Sequence, residues 1–377
     1  MHLKSLSLVN FKNYEQVDIA LSAKINCFIG ENGVGKTNVL DAVHYLALCK
    51  SNLNPVDTQN IRYDQEFCVV QGVFQRFNRE ENIFCGIRKQ KKKQFKRNQK
   101  EYQKLSEHIG LIPLVMVSPS DSLLINGGSE ERRNFMNGVI AQYSRLYLDQ
   151  IIQYNHALTQ RNRLLKDFTS SRSLNREMLE VWDQQLIRYG EPIYHERKRF
   201  VKELLPVFGA FYEHVSGDRE KVFLSYQTQL DEVGFGEGLI ASVEKDRILQ
   251  YTTFGIHKDD LDMKLGDYSL KKSGSQGQQK TFLVALKLAE FEFIRRLTEI
   301  PPILLLDDIF DKFDASRVKQ IISLVAQNNF GQIFITDTNE SRLLGILKEL
   351  PADHRIYGID HDGHIKLLDD QDGEKGD

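Results

Sequence analysis

Several residue types and patterns are scarce in this 377-residue sequence, and each scarcity excludes a class of protein. There are four cysteines, without a C-x-x-C pair or metal-ligand spacing, so neither a disulfide scaffold nor a cysteine metal site is expected. No apolar stretch reaches the roughly 18 residues that a membrane span needs. The N-terminus also lacks the apolar core of a signal peptide. We therefore expect a cytoplasmic protein with reduced, packed cysteines and no membrane contact.

Excess charge is absent as well. Lysine and arginine total 50 and aspartate and glutamate total 52, giving a formal net charge of -2. This balance excludes a globally basic nucleic-acid binder, although a local basic face is still possible. Hydrophobic residues make up 41% and charged residues 27%, as in soluble globular proteins and unlike disordered chains.

The clearest motif present is G-x-x-x-x-G-K-T at residues 30–37, which matches the phosphate-loop pattern at every defined position. An apolar strand is predicted before it, at residues 25–29, and a helical period follows it. The glycines permit positive φ, so that backbone N–H groups can surround the phosphates. Lys36 is expected to reach the β- and γ-phosphates, and the Thr37 hydroxyl to ligate Mg²⁺. The predicted nucleotide-binding residues are Gly30, Glu31, Asn32, Gly33, Val34, Gly35, Lys36, Thr37 and Asn38.

A second motif is the apolar run at residues 303–306, which ends in Asp307 and Asp308. A buried parallel strand presents such carboxylates at its C-terminal end, where open α/β sheets bind ligands. Asp307 is predicted to hold Mg²⁺, and Asp308 to face the γ-phosphate and activate the attacking water. An acidic helix start after a core strand is the alternative.

The third motif, S-Q-G-Q-Q at residues 275–279, opens a predicted helix. Ser275 is expected to be its N-cap, while Gly277 would let a phosphate approach the backbone beside Gln278. The pattern predicts a second anion-binding helix end that contacts a γ-phosphate. Taken alone, an ordinary helix cap explains it equally well.

Most of the chain separates the phosphate loop from Asp307, so the nucleotide-binding domain is predicted to be split by an insertion. Helical patterns run from 129 to about 168 and from 175 to 215, with Pro192 and Pro206 as expected breaks or kinks. A polar turn at 169–173 would join them as an antiparallel pair. The expected α/β organisation has four parts, namely an N-terminal ATPase part (1–125), a helical arm (126–220), a C-terminal ATPase part (221–368) and a flexible acidic tail (369–377).

The order of these motifs resembles that of ATP-binding-cassette ATPases, in particular the SMC-like branch with a helical insertion. Six segments resemble the RecF family of bacterial recombination mediators over residues 3 to about 340. They are L-V-N-F-K-N-Y (8–14), G-E-N-G-V-G-K-T-N (30–38), S-P-S-D (118–121), G-G-S-E-E-R-R (127–133), G-I-H-K-D-D (255–260) and S-Q-G-Q-Q-K-T (275–281).

This resemblance implies an ATPase head that forms a homodimer around two ATP molecules. Each Ser275 would contact the γ-phosphate held by the partner subunit's Lys36. The dimer is implied to bind duplex DNA or a single-strand/duplex junction and, with RecO- and RecR-type mediators, to help load RecA at gaps. Hydrolysis would be a slow, DNA-stimulated release switch. An ABC-transporter ATPase subunit is the alternative, which the helical insertion disfavours.

The sequence departs from the family pattern at three places. Ile256 and Lys258 stand where proline and arginine are usual, and Asp337 stands where transport-type cassettes have a histidine. Residues 311–314 stand where a Ser-x-Leu-Asp loop at the dimer contact is common, and only Asp314 matches that pattern. His257 is predicted to be a satisfied turn histidine, with a phosphate or DNA contact as the alternative.

Nucleic-acid contacts are predicted at basic segments without a base-reading motif. Residues 88–104 carry nine cations against one acid, and Phe95 and Tyr102 lie among them. A solvated edge hairpin is the alternative. The helical arm offers two further clusters, namely Arg161, Arg163 and Lys166, and Arg197, Lys198 and Arg199.

Overall fold

A computed structural model describes residues 1–171, 176–217, 221–309, 320–322, 324, 330–347 and 353–371. The strands of these residues are β1 (His2–Phe11), β2 (Tyr14–Ala20), β3 (Ile25–Ile29), β4 (Phe67–Arg76), β5 (Arg79–Arg88), β6 (Gln94–Arg97), β7 (Lys100–Glu101), β8 (Leu114–Val117), β9 (Val222–Gln227), β10 (Asp260–Leu265), β11 (Tyr268–Ser269), β12 (Ile303–Asp307), β13 (Ile333–Asp337), β14 (His354–Ile359) and β15 (Ile365–Gln371).

The helices are α1 (Lys36–Leu48), α2 (Ser122–Asn126), α3 (Ser129–Tyr143), α4 (Arg145–Ser171), α5 (Arg176–Ser216), α6 (Phe235–Leu249), α7 (Leu270–Ser273) and α8 (Gln276–Thr298), followed by a helix at Glu340–Leu347. Among the residues described, none of these helices combines the length and apolar character needed to cross a bilayer.

The chain divides into two compact units, of which the first comprises Met1–Asp121 and Val284–Asp377. It contains an antiparallel sheet of order β2-β1-β4-β5-β6-β7 and a second sheet of order β15-β14-β3-β13-β12-β8. In the second sheet only β15 runs antiparallel to its neighbour. All five residues of β3, β12 and β13 are buried, as continuous apolar runs in a parallel sheet require.

One hydrophobic core in this unit includes residues of α1 and of both sheets, such as Leu6, Val43 and Phe334. Helix α1 is buried along almost its whole length, which holds the helix after the phosphate loop firmly in place. The four cysteines are buried and free, as predicted. Residues 369–371 belong to β15 rather than to the predicted tail, because Asp369 and Asp370 pair with β14.

The second unit is Ser122–Leu283 and is longer than the helical arm predicted at 126–220. The difference arises because β9, β10 and β11 form a three-stranded sheet that packs with α3 and α5. Local sequence patterns do not specify that strands of this region pack against the arm helices. Helices α4 and α5 are antiparallel, as expected, since Arg197 bonds Tyr147 whereas Arg161 bonds Asp183.

Two helix boundaries differ from the sequence prediction. The pattern predicted as one helix from 129 is broken at Ser144, which is extended and whose hydroxyl accepts a hydrogen bond from Tyr147 N at 3.2 Å. Helix α5 runs through both Pro192 and Pro206, so neither proline breaks the helix, and a kink at either one stays a prediction. Residues 172–175, which include part of the predicted polar turn, lie outside the described residues.

Buried ion pairs stabilise the second unit. Arg161 is fully buried, and its guanidinium donates to Asp183 at 2.5 Å, Asp246 at 2.6 Å and Thr252 at 2.9 Å. Arg197, 1% exposed, donates to Asp259 at 2.9 Å and to the Ile256 carbonyl at 2.8 Å. Neither guanidinium faces solvent, so the prediction that these two arginines contact DNA is wrong.

Arg161→Ala is expected to destabilise the fold strongly, because it leaves the Asp246 and Asp183 carboxylates without their cation. Breaking a buried pair in this way costs about 3–5 kcal/mol. The control is Arg163→Ala on the same helix, since Arg163 is 77% exposed and pairs with Asp167 only at 3.9 Å. We expect its effect to stay within about 0.5 kcal/mol. Urea denaturation measures both changes, and equal midpoints for the two variants would contradict the prediction.

Candidate nucleotide-binding site

The phosphate loop joins β3 to α1, as the sequence predicts. Gly33 and Gly35 have φ of 87° and 114°, values that glycine adopts without strain. Gly35 has a further requirement, since a Cβ there would overlap the Asn13 side chain. The Lys36 ammonium folds back over the loop and donates to the carbonyls of Gly30 at 2.8 Å and Glu31 at 2.7 Å. The loop therefore curves around a positive charge at the start of a helix, where anions bind.

The turn between β1 and β2 supports this loop through two side chains. Asn13 donates to the Val34 carbonyl at 2.9 Å and accepts from the Asn38 side chain at 2.8 Å. The Tyr14 hydroxyl donates to the Gly35 carbonyl at 2.9 Å. The segment L-V-N-F-K-N-Y contributes to the family resemblance, but its spacing gives no indication that its side chains reach the loop.

Asp307 lies at the C-terminal end of β12 and faces Thr37, although 270 residues separate the two in sequence. One oxygen of its carboxylate accepts from the Thr37 hydroxyl at 2.8 Å and from the Thr336 hydroxyl at 2.8 Å. Burial raises the pKa of Asp307, while the hydrogen bonds from the two hydroxyls oppose that rise. The parallel sheet thus brings the second motif to the first, because β12 and β3 both pair with β13.

Asp308 follows with φ of 48°, and its backbone N–H donates to the Thr336 hydroxyl at 2.9 Å. A cavity of about 230 Å³ adjoins this position. It is lined by Asn32, Gly33, Gly35, Lys36, Thr37, Asn38 and Asp308. Thr336 was not predicted as a site residue, since a lone threonine at a strand end carries no motif. It nevertheless holds both the Asp307 carboxylate and the Asp308 backbone.

Ser275 precedes α8 in the second unit and is its N-cap, as predicted. Its hydroxyl accepts from Gln278 N at 3.2 Å, while Ser275 N donates to the Gln278 side chain at 2.8 Å. This reciprocal pair is a capping box, which determines where the helix begins. Gly277 is exposed, and a Cβ added there would meet nothing within 4 Å. The first turn of α8 therefore leaves open space at Gly277.

Comparisons with known proteins agree with this geometry. The sequence model described as RecF/RecN/SMC N terminal domain matches residues 2–352. The chain is 52% identical over 361 residues to the DNA replication and repair protein RecF of Bacteroides thetaiotaomicron, covering 96% of this chain and 97% of that one. It is also 52% identical over 370 residues to the RecF of Parabacteroides distasonis, covering 98% and 100%. The chain belongs to the RecF family.

Solved structures extend this assignment. A structure of the recombination mediator protein RecF-ATP in the RecFOR pathway superposes with a TM-score of 0.88 at 27% identity, covering 98% of both chains. An Smc head domain from Pyrococcus furiosus has a TM-score of 0.59 at 16% identity, covers 97% of this chain and 96% of that one, and shows likeness of fold alone. The predicted α/β fold of an SMC-type ATPase head is thus confirmed, as is the RecF resemblance.

The family departure at Asp337 has a structural explanation. Its carboxylate is 1% exposed and accepts from Arg342 at 2.6 and 2.7 Å and from Asn339 N at 2.9 Å. Asp337 therefore anchors the start of the helix Glu340–Leu347. Asp314 and its neighbours 311–313 lie outside the described residues.

His257 is a satisfied turn histidine, as predicted. Its Nδ1 lies 2.8 Å from the Tyr154 hydroxyl and its Nε2 lies 2.9 Å from the Thr252 carbonyl. Burial is the largest cause that lowers its pKa, to about 4. Both ring nitrogens are engaged within the second unit.

The basic segment at 88–104 forms the predicted hairpin, but its residues differ in role. Phe95 is buried, and the Lys93 ammonium donates to the Cys49 carbonyl at 2.7 Å and pairs with Asp57 at 2.9 Å. Arg97 pairs with Glu81 at 2.5 Å. Lys91 and Lys92 are exposed.

The basic clusters of the arm are also largely paired. Lys198 pairs with Asp231 and Arg199 with Glu196, both at 2.6 Å. Lys166 is exposed, and Arg163 is weakly paired.

Proposed function

We propose that this chain is an ATP-switched DNA-binding protein of replication and recombinational repair. It pairs with a second copy on ATP, binds duplex DNA or a single-strand/duplex junction, and helps load the RecA recombinase at gaps. The observation that supports a nucleotide-dependent switch is that Lys36, Thr37, Asp307 and Asp308 lie together at the C-terminal ends of the parallel strands β3 and β12. The relatives' name, DNA replication and repair protein, supports the process in which the switch works.

ATP is the proposed nucleotide, since the similar solved structure is one of RecF-ATP. Lys36 would exchange its bonds to the Gly30 and Glu31 carbonyls for the β- and γ-phosphates. The loop's backbone N–H groups and the start of α1 would hold the remaining phosphate charge.

The residues fit Mg²⁺ as well. Thr37 and Asp307 offer a hydroxyl and a carboxylate oxygen, the hard ligands that this ion prefers, and these oxygens lie 2.8 Å apart. Burial raises the pKa of Asp307 and so disfavours its ionised form. A cation bound beside the carboxylate would offset this effect by favouring the ionised form. Thr37 would ligate the ion directly and Asp307 through water. When bound, Mg²⁺ supplies charge neutralisation of the β- and γ-phosphates.

Hydrolysis is proposed to depend on Asp308. The Thr336 hydroxyl accepts a hydrogen bond from the Asp308 backbone N–H, and Asp308 lines the cavity together with Lys36. A carboxylate there can orient a water in line with the γ-phosphate and accept its proton. The reaction would be slow and would release the paired state.

Pairing is proposed to use Ser275, Gly277 and Gln278 against the nucleotide bound by the partner subunit's Lys36. Gly277→Ala is expected to leave ATP affinity of the single chain unchanged and not to lower its stability, because no other part of the chain lies within 4 Å of the added Cβ. It should weaken ATP-dependent pairing about tenfold or more, since a methyl group blocks close approach of a phosphate to the backbone. Analytical ultracentrifugation with Mg·ATP measures the change.

Ser275→Ala provides the companion measurement. It removes the N-cap and costs about 1 kcal/mol of stability, but ATP affinity of the single chain should stay near normal. A loss of single-chain affinity as large as that of Lys36→Ala would contradict the role across the dimer.

The partners proposed are DNA and RecR- or RecO-type mediators, in line with the RecFOR pathway in which the similar solved RecF takes part. A filter-binding assay with gapped DNA, with and without ATP, tests the proposal. ATP-dependent retention is expected, whereas retention that ignores ATP would contradict the switch. A transporter ATPase subunit, the alternative, is not favoured, because full-length relatives at 52% identity are DNA replication and repair proteins.

A further inference from the structure

We propose that a surface at one end of the antiparallel sheet binds unpaired bases of single-stranded DNA. This basic-aromatic patch consists of Arg62, Tyr63, Phe67, Arg88, Lys91 and Lys92. The inference rests on the proposed function and specifies which surface meets DNA and which part of a junction it recognises.

Backbone and side-chain contacts join the two segments that form the patch. Phe67 of β4 is the cross-strand partner of Arg88 of β5. Lys89 donates from its backbone to the Glu66 carbonyl at 3.1 Å and from its ammonium to the Glu66 carboxylate at 3.2 Å. Lys93 holds the other end of the turn through its ion pair with Asp57. The turn at 88–93 is therefore fixed against residues 57–67.

The charge of the patch is positive although the whole chain is slightly acidic. Residues 62–67 and 88–93 carry six cations against two carboxylates. Three of these cations are paired, Arg62 with Glu15, Lys89 with Glu66 and Lys93 with Asp57. Within the part of the chain that the structure describes, Arg88, Lys91 and Lys92 form no ion pair. They are exposed, so their charge is available to phosphates.

Two aromatic side chains are exposed among these cations. Tyr63 is 88% exposed, the largest fraction among the exposed large hydrophobic side chains described, and Phe67 is 44% exposed. Exposed rings within a basic surface provide stacking platforms for bases, and stacking tolerates any base sequence. In a duplex the faces of the bases are covered by their neighbours. The combination therefore favours the single-stranded part of a junction over its duplex part.

The test uses the full chain with Mg·ATP and fluorescence anisotropy on three DNAs, namely a single strand, a duplex with a single-stranded tail and a blunt duplex. Tyr63→Ala should weaken binding to the single strand and the tailed duplex roughly fivefold or more. It should leave the blunt duplex unchanged, and Tyr63→Phe should bind like the unmodified chain. Lys91→Ala with Lys92→Ala should lower the slope of log affinity against log salt by about 1.4 on the single strand.

The same hairpin offers matched controls at its other end. Phe77 is 71% exposed in the β4–β5 turn beneath the Arg76 guanidinium, and Arg79 is exposed beside it. Phe77→Ala and Arg79→Ala should bind all three DNAs normally. Equal affinities for Tyr63→Ala and Phe77→Ala would overturn the inference and leave a protein partner as the occupant of the patch. Equal loss on the blunt duplex would overturn base stacking. Failure of the unmodified chain to bind any DNA would instead overturn the proposed function.

Discussion

Lys36→Ala should abolish ATP-dependent pairing, with ATP affinity reduced about 100-fold or more. Lys36 is 6% exposed, and its ammonium group lies inside the loop, where it donates to two backbone carbonyls. The ammonium is therefore already positioned where the phosphates would bind. Each charge-assisted hydrogen bond that is lost costs about 1.5–3 kcal/mol, and two such bonds account for the expected reduction. Equilibrium binding of a fluorescent ATP analogue and sedimentation with Mg·ATP measure the two effects.

Lys50→Ala is the matched control for that substitution. Lys50 is exposed and follows the C-terminal end of the same helix, so its removal changes the chain's net charge equally. Affinity and pairing should be unchanged in the control. If both variants pair normally at saturating ATP, the phosphate loop does not control association and the proposed switch is wrong.

Asp308→Asn should preserve the ATP-bound pair and lower ATP turnover about 100-fold or more, the usual contribution of a general base. Asparagine suits this position because Asp308 has φ of 48°, and aspartate and asparagine adopt the left-handed region more readily than most residues. The backbone hydrogen bond to Thr336 is also retained, since it uses the Asp308 N–H. The substitution therefore removes the carboxylate charge and keeps this backbone contact.

Asp307→Asn distinguishes the role of the Asp307 carboxylate from that of the Asp308 carboxylate. Asp307 accepts hydrogen bonds from the Thr37 and Thr336 hydroxyls, and we expect its amide variant to weaken Mg²⁺-dependent ATP binding rather than trap a pair. Single-turnover hydrolysis and sedimentation velocity distinguish these outcomes. Rapid dissociation of the Asp308→Asn pair with its ATP intact would count against the proposed role of Asp308.

Motifs with fixed spacing allowed the centre of the site to be predicted from sequence. The phosphate loop, Asp307 and the Ser275 cap lie on the elements expected, because strand, loop and helix signals are local. The supporting residues Asn13, Tyr14 and Thr336 could not be predicted. Each acts through a hydrogen bond to a segment distant in sequence, and a single asparagine, tyrosine or threonine has no local pattern that specifies such a partner.

Fold prediction succeeded where a local pattern specifies an element and failed where an element depends on contacts with distant segments. Apolar runs identified β3 and β12, whereas the extent of the inserted unit depended on which helices its small sheet would contact. Charge was the least informative signal. Arg161 and Arg197 look like solvent-facing cations in sequence. In the structure both are buried and form ion pairs with carboxylates from other segments.

The position of β3 in its sheet has a consequence for biosynthesis. Both of its neighbours, β13 and β14, come from the last part of the chain. At roughly 5–20 residues per second, the ribosome needs on the order of tens of seconds to deliver them after β3 emerges. The inserted unit, Ser122–Leu283, is synthesised within that delay, before either neighbour of the strand Ile25–Ile29 exists. The nucleotide pocket is thus completed only after the inserted unit has been made, and a chain that ends before β12 would lack the pocket's two carboxylates, Asp307 and Asp308.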